Sequence, residues 1–539
     1  MAVDVPSDLD LVSRFVYFGS EEGHFTVDPP KTFTDKTPSL DTFLSKERGS
    51  EVIKRLKLIF QTRRYITKDP LLFAIAHIIR NMPVTESHDE DKIRNEAYSL
   101  AQDVCESALD LFTFVHFNKE TSPPKKAGFG HGMKTFIAKW YFSKPPLKLA
   151  HEVTRFKSGR GWTHRDLIRQ CHMKTDTKSK ATSVVLNYLT QKKYQLTDDL
   201  DCEDSEVGEV VQFLKDIKSL SSPQPVDGDF ARSLIEKHKL VDRQIPTFLR
   251  NLPQTFEGML GNMTMEEIIN SIPKMATLGM LEQCSIHTPL IIEKIKNLDL
   301  VKSSKIHPVV IFLVMRCYES DRSKKYVKNY HLIRALQAAF TASLESLPSI
   351  GTKTLVAVHV EGKAAKQHVL GANYLSPILP CALMTNFLLQ SEDNLKLVYF
   401  NQMVSEINLS RTVPMARIVE AFVSFTRDPA NTSYDLVEPI KWATQHKKPF
   451  DNILILCDKK MVSSQADLHN AIDTYRREVL LPNAKFLVLG LTDLTSVTNK
   501  MDLNMCEVSG FNKKIPSLIY NFFLGHYDVN TEAMASEQP

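Results

Sequence analysis

A strongly basic stretch with interleaved planar side chains lies in the first half of this sequence. Residues 119–195 contain 17 Lys and Arg against 4 Asp and Glu. Its cations include Arg155, Lys157, Arg160, Arg165, Arg169, Lys174, Lys178 and Lys180, and its planar side chains include Phe156, Trp162, His164 and His172. Cationic side chains neutralise phosphates, and planar side chains stack on unpaired bases. The segment therefore predicts contact with RNA.

The spacing within this segment predicts how its side chains are presented. If residues 165–172 are helical, Arg165, Arg169 and His172 share one face, because they lie four and three residues apart. Trp162 stands beside a helix-capping position, where tryptophan more often packs than stacks, so we assign it to the core. The alternative left open is that the cations form the solvated faces of ordinary helices and that Phe156 is also core.

A second pattern contains residue types that bind zinc. His359-Val360-Glu361 and Pro380-Cys381 are similar to the H-x-E and P-C-x-x-C parts of zinc nucleobase deaminases. The second cysteine is absent, since position 384 is Met384, so three zinc ligands cannot be assembled. Motifs for nucleotide hydrolysis, metalloproteolysis and esterase chemistry are also missing from the sequence. We therefore predict no enzymatic activity and no cofactor.

Helical periodicity dominates the chain from about residue 40 to 347. Apolar residues recur at three- and four-residue steps in SEVIKRLKLIFQTRR, PLLFAIAHIIRNM, GMKTFIAKWYF, RSLIEKHKLV and HPVVIFLVMRCY. A short amphipathic helix cannot bury its apolar face alone, so stacking in pairs is expected. This pattern predicts a solenoid of divergent helical repeats.

After about Ser349 the pattern changes to short apolar runs that alternate with helical ones. KTLVAVHV, NLKLVYF, NILILC and AKFLVLGL read as strands buried on both faces, which is typical of a parallel sheet covered by helices. We therefore predict a doubly wound α/β domain with ligand sites beyond the carboxyl ends of its strands. The predicted organisation is an N-terminal segment at 1–36, helical repeats at 37–348, an α/β domain at 349–528 and a disordered tail at 529–539.

Several stretches resemble the Ro (SS-A) ribonucleoprotein family, whose repeat region is the TROVE module. They are RFVYFGSEEG (14–23), DPLLFAIAHI (69–78), LFTFVHF (111–117), IAKWY (137–141), GRGWTHRDLIRQCHMK (159–174) and KIHPVVIF (305–312). The resemblance implies a closed ring of HEAT-type helical pairs followed by a von Willebrand A-like domain. It also implies binding of small noncoding Y RNAs on a basic outer face, and of single-stranded 3′ ends of misfolded RNAs in the ring hole, for small-RNA stability or quality control.

The resemblance also assigns individual residues. Arg155 and His172 fall where the family's Y RNA contacts use a lysine and a histidine, and a third contact, an arginine, meets Gly159 here, with Arg160 beside it. Where the family tends to read GWGRALRKA, residues 128–136 read GFGHGMKTF, so two basic positions are weakened to His131 and Lys134. The RNA bound is therefore expected to differ from the usual Y RNA.

The resemblance further implies a metal site that this chain has lost. The family's A-type domain carries D-x-S-x-S after its first strand, which binds Mg²⁺ through oxygen ligands. The equivalent residues here are His359, Glu361 and Lys363, and an ammonium group would repel a divalent cation. Asp435 and Asp458 are expected to form ion pairs with Lys363. We predict no metal at this degenerate site.

One further alternative concerns the whole protein. A helical-repeat scaffold that has lost RNA binding would use the same basic groove to bind acidic proteins, and fold alone does not separate the two functions. Salt dependence does, because counterion release makes RNA binding steeply sensitive to salt. We expect a monomer without membrane association, with small RNA and RNA-processing or ribonucleoprotein proteins as partners. We expect it in the cytoplasm, and residence in the nucleus as well is the alternative.

Overall fold

The computed structural model describes most of the chain. The described residues are 6–28, 32–46, 48–82, 89–122, 128–191, 194–196, 205–221, 227–320, 325–361, 367–427, 434–497 and 502–527. They form two compact units, each discontinuous in sequence. The helical unit comprises the described parts of 40–61 and 67–264, and the α/β unit those of 1–39, 62–66 and 265–539.

Helices outnumber strands along the described residues. The helices are α1 Asp8–Phe18, α2 Pro38–Ser45, α3 Gly49–Gln61, α4 Asp69–Asn81, α5 Asp89–Val104, α6 Ala108–Glu120, α7 His131–Phe142, α8 Pro146–Arg155, α9 His164–Gln170, α10 Lys180–Thr190, α11 Ser205–Leu220, α12 Gly228–His238, α13 Pro253–Leu260, α14 Met265–Thr277, α15 His287–Lys296, α16 Leu298–Ser303, α17 Pro308–Glu319, α18 Tyr330–Ser343, α19 Ile378–Ser391, α20 Met415–Thr426, α21 Glu438–Gln445, α22 Gln465–Glu478 and α23 Ile515–Phe523. The strands are β1 His24–Thr26, β2 Ser158–Gly159, β3 Trp162–Thr163, β4 Thr354–His359, β5 Leu395–Phe400, β6 Val404–Ile407, β7 Asn452–Cys457, β8 Lys485–Gly490 and β9 Met505–Ser509.

Stacked amphipathic helices form the helical unit, as their periodicity predicts. The five predicted helical runs are confirmed as α3, α4, α7, α12 and α17, of which the first four lie in this unit. Local signals fix helix starts, since capping boxes link Ser107 to Asp110 at α6 and Thr163 to Asp166 at α9. Trp140 of α7 is fully buried, and its indole N–H donates to the Cys105 carbonyl at 2.7 Å. This bond anchors α7 to the end of α5.

A seven-stranded sheet forms the centre of the α/β unit within the described residues. The strand order is β1-β9-β8-β7-β4-β5-β6, and every pair is parallel except β5 with β6. All residues of β4, β7 and β9 are buried, which explains the apolar runs of β4 and β7, whereas β9 also buries Glu507 and Ser509. The four predicted strands are confirmed as β4, β5, β7 and β8. The α/β fold and the preceding helical region are therefore those that the sequence predicted.

The N-terminal segment supplies the edge strand of this sheet. β1 pairs with β9, and Arg14 of α1, only 1% exposed, donates to the carbonyls of Asp502, Glu22 and Met505. The predicted domain bounds at 36/37 and 348/349 stay predictions. The two compact units are discontinuous in sequence and are a different division of the chain. None of the described helices combines the length and apolar character needed to cross a membrane.

Candidate functional site

The most basic segment folds as a helix end, a tight hairpin and a short helix. Between β2 and β3, Arg160 and Gly161 both have positive φ, 50° and 81°, as a two-residue hairpin turn requires. The Arg160 guanidinium lies 2.6 Å from the Asp69 carboxylate, so its charge is already paired. At Gly159 an added Cβ would lie 3.0 Å from the Phe112 ring. An arginine at that position would therefore require Phe112 to shift.

His172 does not share a helix face with Arg165 and Arg169, so that prediction was wrong. The helix α9 ends at Gln170, and His172 adopts a left-handed φ of 52°. The His172 N–H donates to the Arg169 carbonyl and the Met173 N–H to the Ile168 carbonyl, which is the Schellman pattern of a helix end. The reversal of the backbone turns His172 away from the face that spacing alone assigned to it.

His172 instead lines a cavity with three other residues of the predicted site. This His172 cavity has a volume of about 980 Å³, and His131, Lys134 and Lys174 also line it. His131 and Lys134 lie one turn apart at the start of α7, whereas the other two follow α9. Lys134 is half-buried and the other three are exposed. The fold thus gathers basic residues from positions about 40 apart in sequence.

Lys157 and Arg165 line a second cavity, of about 440 Å³. His164 also lines it, and Lys218, Tyr188 and Tyr194, all three missed by sequence reasoning, complete its charged and aromatic lining. The two tyrosines lie at the end of the basic stretch and Lys218 lies beyond it on α11, and no local pattern signals their approach. We call this cavity the Tyr188 cavity.

Arg155 and Arg169 are exposed and do not line either cavity. The Arg155 guanidinium lies 5.2 Å from the centroid of the Phe156 ring, which the Arg243 guanidinium also approaches, at 5.3 Å. Within the described residues, Arg160 is the one cation of the predicted site that forms an ion pair. The charges of the other Lys and Arg residues are thus available to a ligand.

Two planar residues of the basic segment are buried and have structural roles. Trp162 is 7% exposed and packs near Phe129, with the Lys119 ammonium 5.4 Å from its ring, so its assignment to the core is confirmed. His164 donates from Nε2 to the Phe156 carbonyl at 2.8 Å and accepts at Nδ1 from the Tyr141 hydroxyl at 2.6 Å. Burial lowers the pKa of His164 to about 4. It is therefore neutral near pH 7.

Acid is expected to destabilise the helical unit through His164. Its pKa of about 4 in the folded state lies below the usual value near 6.5, so the unfolded chain binds more protons between these limits. The contribution of His164 to the free energy of unfolding is complete above pH 6.5. It falls by about 3 kcal/mol as the pH drops to about 4. Urea unfolding at pH 7 and pH 5 should show about 2 kcal/mol of this fall in the native protein and less in His164→Gln. Its control, the exposed His131→Gln, should retain the native pH dependence, and equal falls in all three proteins would contradict the assignment.

The crevice at the carboxyl ends of the central strands was predicted to hold a degenerate metal site. His359 is fully buried, donates from Nδ1 to the Phe400 carbonyl at 2.6 Å and stacks on Tyr434 with ring centroids 3.6 Å apart. Burial lowers the pKa of His359 to about 4 and raises that of Asp458, which accepts from the Tyr434 hydroxyl at 3.2 Å. The described part of the crevice thus presents a neutral imidazole in place of an oxygen ligand.

The remaining residues of this crevice do not fit Mg²⁺ either. Glu361 lies 4.0 Å from the Lys459 ammonium, and both oxygens of Asp435 accept hydrogen bonds from Ser463 or Val437. No group of three His, Cys, Asp or Glu able to hold a metal occurs in the part of the chain that the structure describes. Lys363 and its expected ion pairs lie outside the described residues. The absence of a metal stays a prediction.

Comparison with known families gives the context of these sites. Residues 36–329, more than half of the chain, match the TROVE domain, and residues 353–523 match the Ro60 vWA domain. The chain belongs to the Ro family. Its vWA domain is the von Willebrand A-like domain that the family resemblance implied, and both the family and the fold class are therefore confirmed.

Relatives of this Ro-family chain match along almost its whole length. The RNA-binding protein RO60 of Caenorhabditis elegans is 24% identical, over 96% of this chain and 88% of the relative. RNA-binding protein RO60 of Deinococcus radiodurans is 21% identical, over 96% and 93%. The crystal structure of the Deinococcus radiodurans Ro (Rsr) protein matches with a TM-score of 0.83 at 20% identity, covering 96% of this chain and all of that one. This structural likeness supports the fold.

Proposed function

We propose that this Ro-family protein binds small structured noncoding RNAs on the surface around the His172 cavity. The observation that carries the proposal is the convergence of His131, Lys134, His172 and Lys174 on one cavity. Two relatives that match almost the whole chain are named RNA-binding proteins. Arg155 and Arg169 add exposed charge in the same helical unit.

The chemistry of the surface favours a polyanion over a small apolar ligand. Lys134 and Lys174 form no ion pair with any described residue, so binding to them displaces only water and salt ions. Each cation that meets an RNA phosphate releases condensed counterions and adds to affinity. Asp176 also lines the cavity and would oppose phosphate beside it, which restricts where the RNA backbone runs.

The finer parts of the proposal extend from this surface. The RNA is Y RNA-like, and single-stranded 3′ ends of misfolded RNAs enter a ring formed by the helical repeats. The protein acts without catalysis, as a monomer in the cytoplasm or also the nucleus, in small-RNA stability or quality control. RNA-processing or ribonucleoprotein proteins are its protein partners.

Crosslinking in cells followed by sequencing of the bound RNA tests the proposal. The native protein should recover small structured RNAs, and Arg155→Glu/His172→Ser should lose them, since the change removes a cation and an imidazole from the proposed surface. The control is Arg334→Glu/His331→Ser, which makes the same changes at two exposed residues of α18. RNA recovery at background level by the native protein would overturn RNA binding and favour a protein-interaction scaffold.

A further inference from the structure

The Tyr188 cavity is built where several elements of the helical unit converge. Lys157 follows α8, Arg165 lies in the first turn of α9, Tyr188 lies on α10 and Lys218 on α11. Tyr194 stands beyond the end of α10. The volume of about 440 Å³ falls within the range of about 300–1,000 Å³ that is typical of small-ligand pockets. The cavity is therefore large enough for one nucleotide.

Unpaired positive charge is the first property of this cavity. Lys157, Arg165 and Lys218 line it, no Asp or Glu is among its described lining residues, and none of the three cations forms an ion pair with a described residue. The Nε of Arg165 is buried and makes no hydrogen bond within the described structure. The Arg165 charge that lines the cavity is therefore not neutralised by any described group.

Neutral aromatic surface is the second property. Tyr188 and Tyr194 are half-buried, and burial raises the pKa of both phenols, so neither repels a phosphate. The nearby hydroxyls are already used, because Thr154 donates to the Ala150 carbonyl and Thr190 to the Leu186 carbonyl. The charged and aromatic groups left for a ligand are therefore the three cations and the two tyrosines, beside the exposed amide of Gln191.

We propose that the Tyr188 cavity binds one unpaired nucleotide of the RNA, with its phosphate on the cations and its base against a tyrosine ring. Single-stranded RNA is commonly held in this way, because unstacked bases pack on aromatic side chains while basic groups hold the backbone. A simple anion would not use the tyrosines, and a base in a duplex would not reach them. The inference rests on the proposed function and adds a distinct subsite for unpaired RNA.

The test compares two probes in fluorescence-anisotropy titrations of the full-length protein. One probe is a labelled RNA stem-loop with a 3′ extension of six unpaired uridines, and the other is the same stem-loop without the extension. For the native protein, the extension should increase affinity by about tenfold, the size expected for one well-stacked base. In Tyr188→Leu/Tyr194→Leu this gain should disappear, while binding of the blunt stem-loop stays unchanged.

Conservative variants separate stacking from a structural role. Tyr188→Phe/Tyr194→Phe should retain the gain, since it keeps both rings, and Arg165→Gln should reduce it. Tyr330→Leu, at a tyrosine that is 75% exposed on α18, is the control and should behave as native. Light-induced crosslinks from 4-thiouridine in the extension should map to the peptide that contains Tyr188 and Tyr194.

Each result has a definite meaning. If the leucine variant keeps the gain, the nucleotide subsite is overturned and the proposed RNA function stands. If the native protein binds both probes equally, the subsite and the proposed binding of single-stranded 3′ ends are both overturned, and the proposed binding of structured RNA stands. If the native protein binds neither probe, both the subsite and the proposed function are overturned. Loss of the gain in the leucine variant together with its retention in the phenylalanine variant supports the subsite.

Discussion

Lys134→Glu/Lys174→Glu is expected to lower the affinity for a stem-loop RNA by about 100-fold, because hydrogen bonds to charged groups contribute about 1.5–3 kcal/mol each. Both lysines line the His172 cavity without a described ion partner, so neither charge is neutralised within the protein. The slope of log affinity against log salt concentration should also become shallower by at least about two, one for each lost phosphate contact. Titrations at several salt concentrations measure both quantities.

The matched control for this prediction is Lys296→Glu/Lys305→Glu. It makes the same change of net charge at two exposed lysines of the α/β unit, neither of which forms an ion pair with a described residue. A long-range effect of net charge would lower affinity equally in the two double variants. Equal losses would thus contradict a localised site, and an unchanged salt slope in Lys134→Glu/Lys174→Glu would show that these lysines do not meet phosphates.

Sequence periodicity was sufficient to predict most of the helices and strands, because a long apolar pattern with one period indicates either a helix or a strand. The runs that became α4, α7, β4 and β7 all have clear patterns of one period. The strand β1 could not be found in this way. Its three residues, His24–Thr26, are too short to show alternation, and it is a strand only because β9 offers an edge with which to pair.

The candidate site also depends partly on local sequence and partly on contacts between distant segments. Composition identified the basic segment, and its unpaired cations are present in the structure. Composition could not show that Arg160 pairs with Asp69, since 91 residues separate them, or that His172 turns out of α9. Lys218 joins Lys157 at the Tyr188 cavity only through the packing of α11 near α8. Contacts between distant segments therefore decide which charges are available to a ligand.

Lys460 gives the clearest case of a residue whose role could not be predicted from its neighbours. It follows β7, where a lysine is usually exposed, yet its side chain is 0% exposed and lies against Gly490, where an added Cβ would be 2.7 Å from Lys460 Cγ. Its Nζ lies 3.3 Å from the Glu507 carboxylate and donates to the Ser509 hydroxyl at 2.9 Å. Its position depends on the absence of a side chain at Gly490, because an added Cβ there would overlap the Lys460 methylenes.

Lys460→Met is expected to destabilise the α/β unit by about 3–5 kcal/mol, the usual cost of removing one member of a buried ion pair. Glu507 is also 0% exposed and would lose the Lys460 ammonium, while the Val497 N–H and the ring of His24 stay in contact. Hydrogen exchange of β8 and β9, followed by mass spectrometry, measures the free energy of opening of these strands. Peptides from α7 of the helical unit serve as the internal reference.

The double variant Lys460→Met/Glu507→Gln distinguishes loss of the ion pair from loss of packing. Because it removes both charges together, it should be more stable than Lys460→Met alone, even though it carries one more substitution. Glutamine retains an oxygen for the Val497 N–H, so this hydrogen bond survives. If the two substitutions instead destabilise additively, the side chains act through packing against the strands, and the buried charges are not coupled.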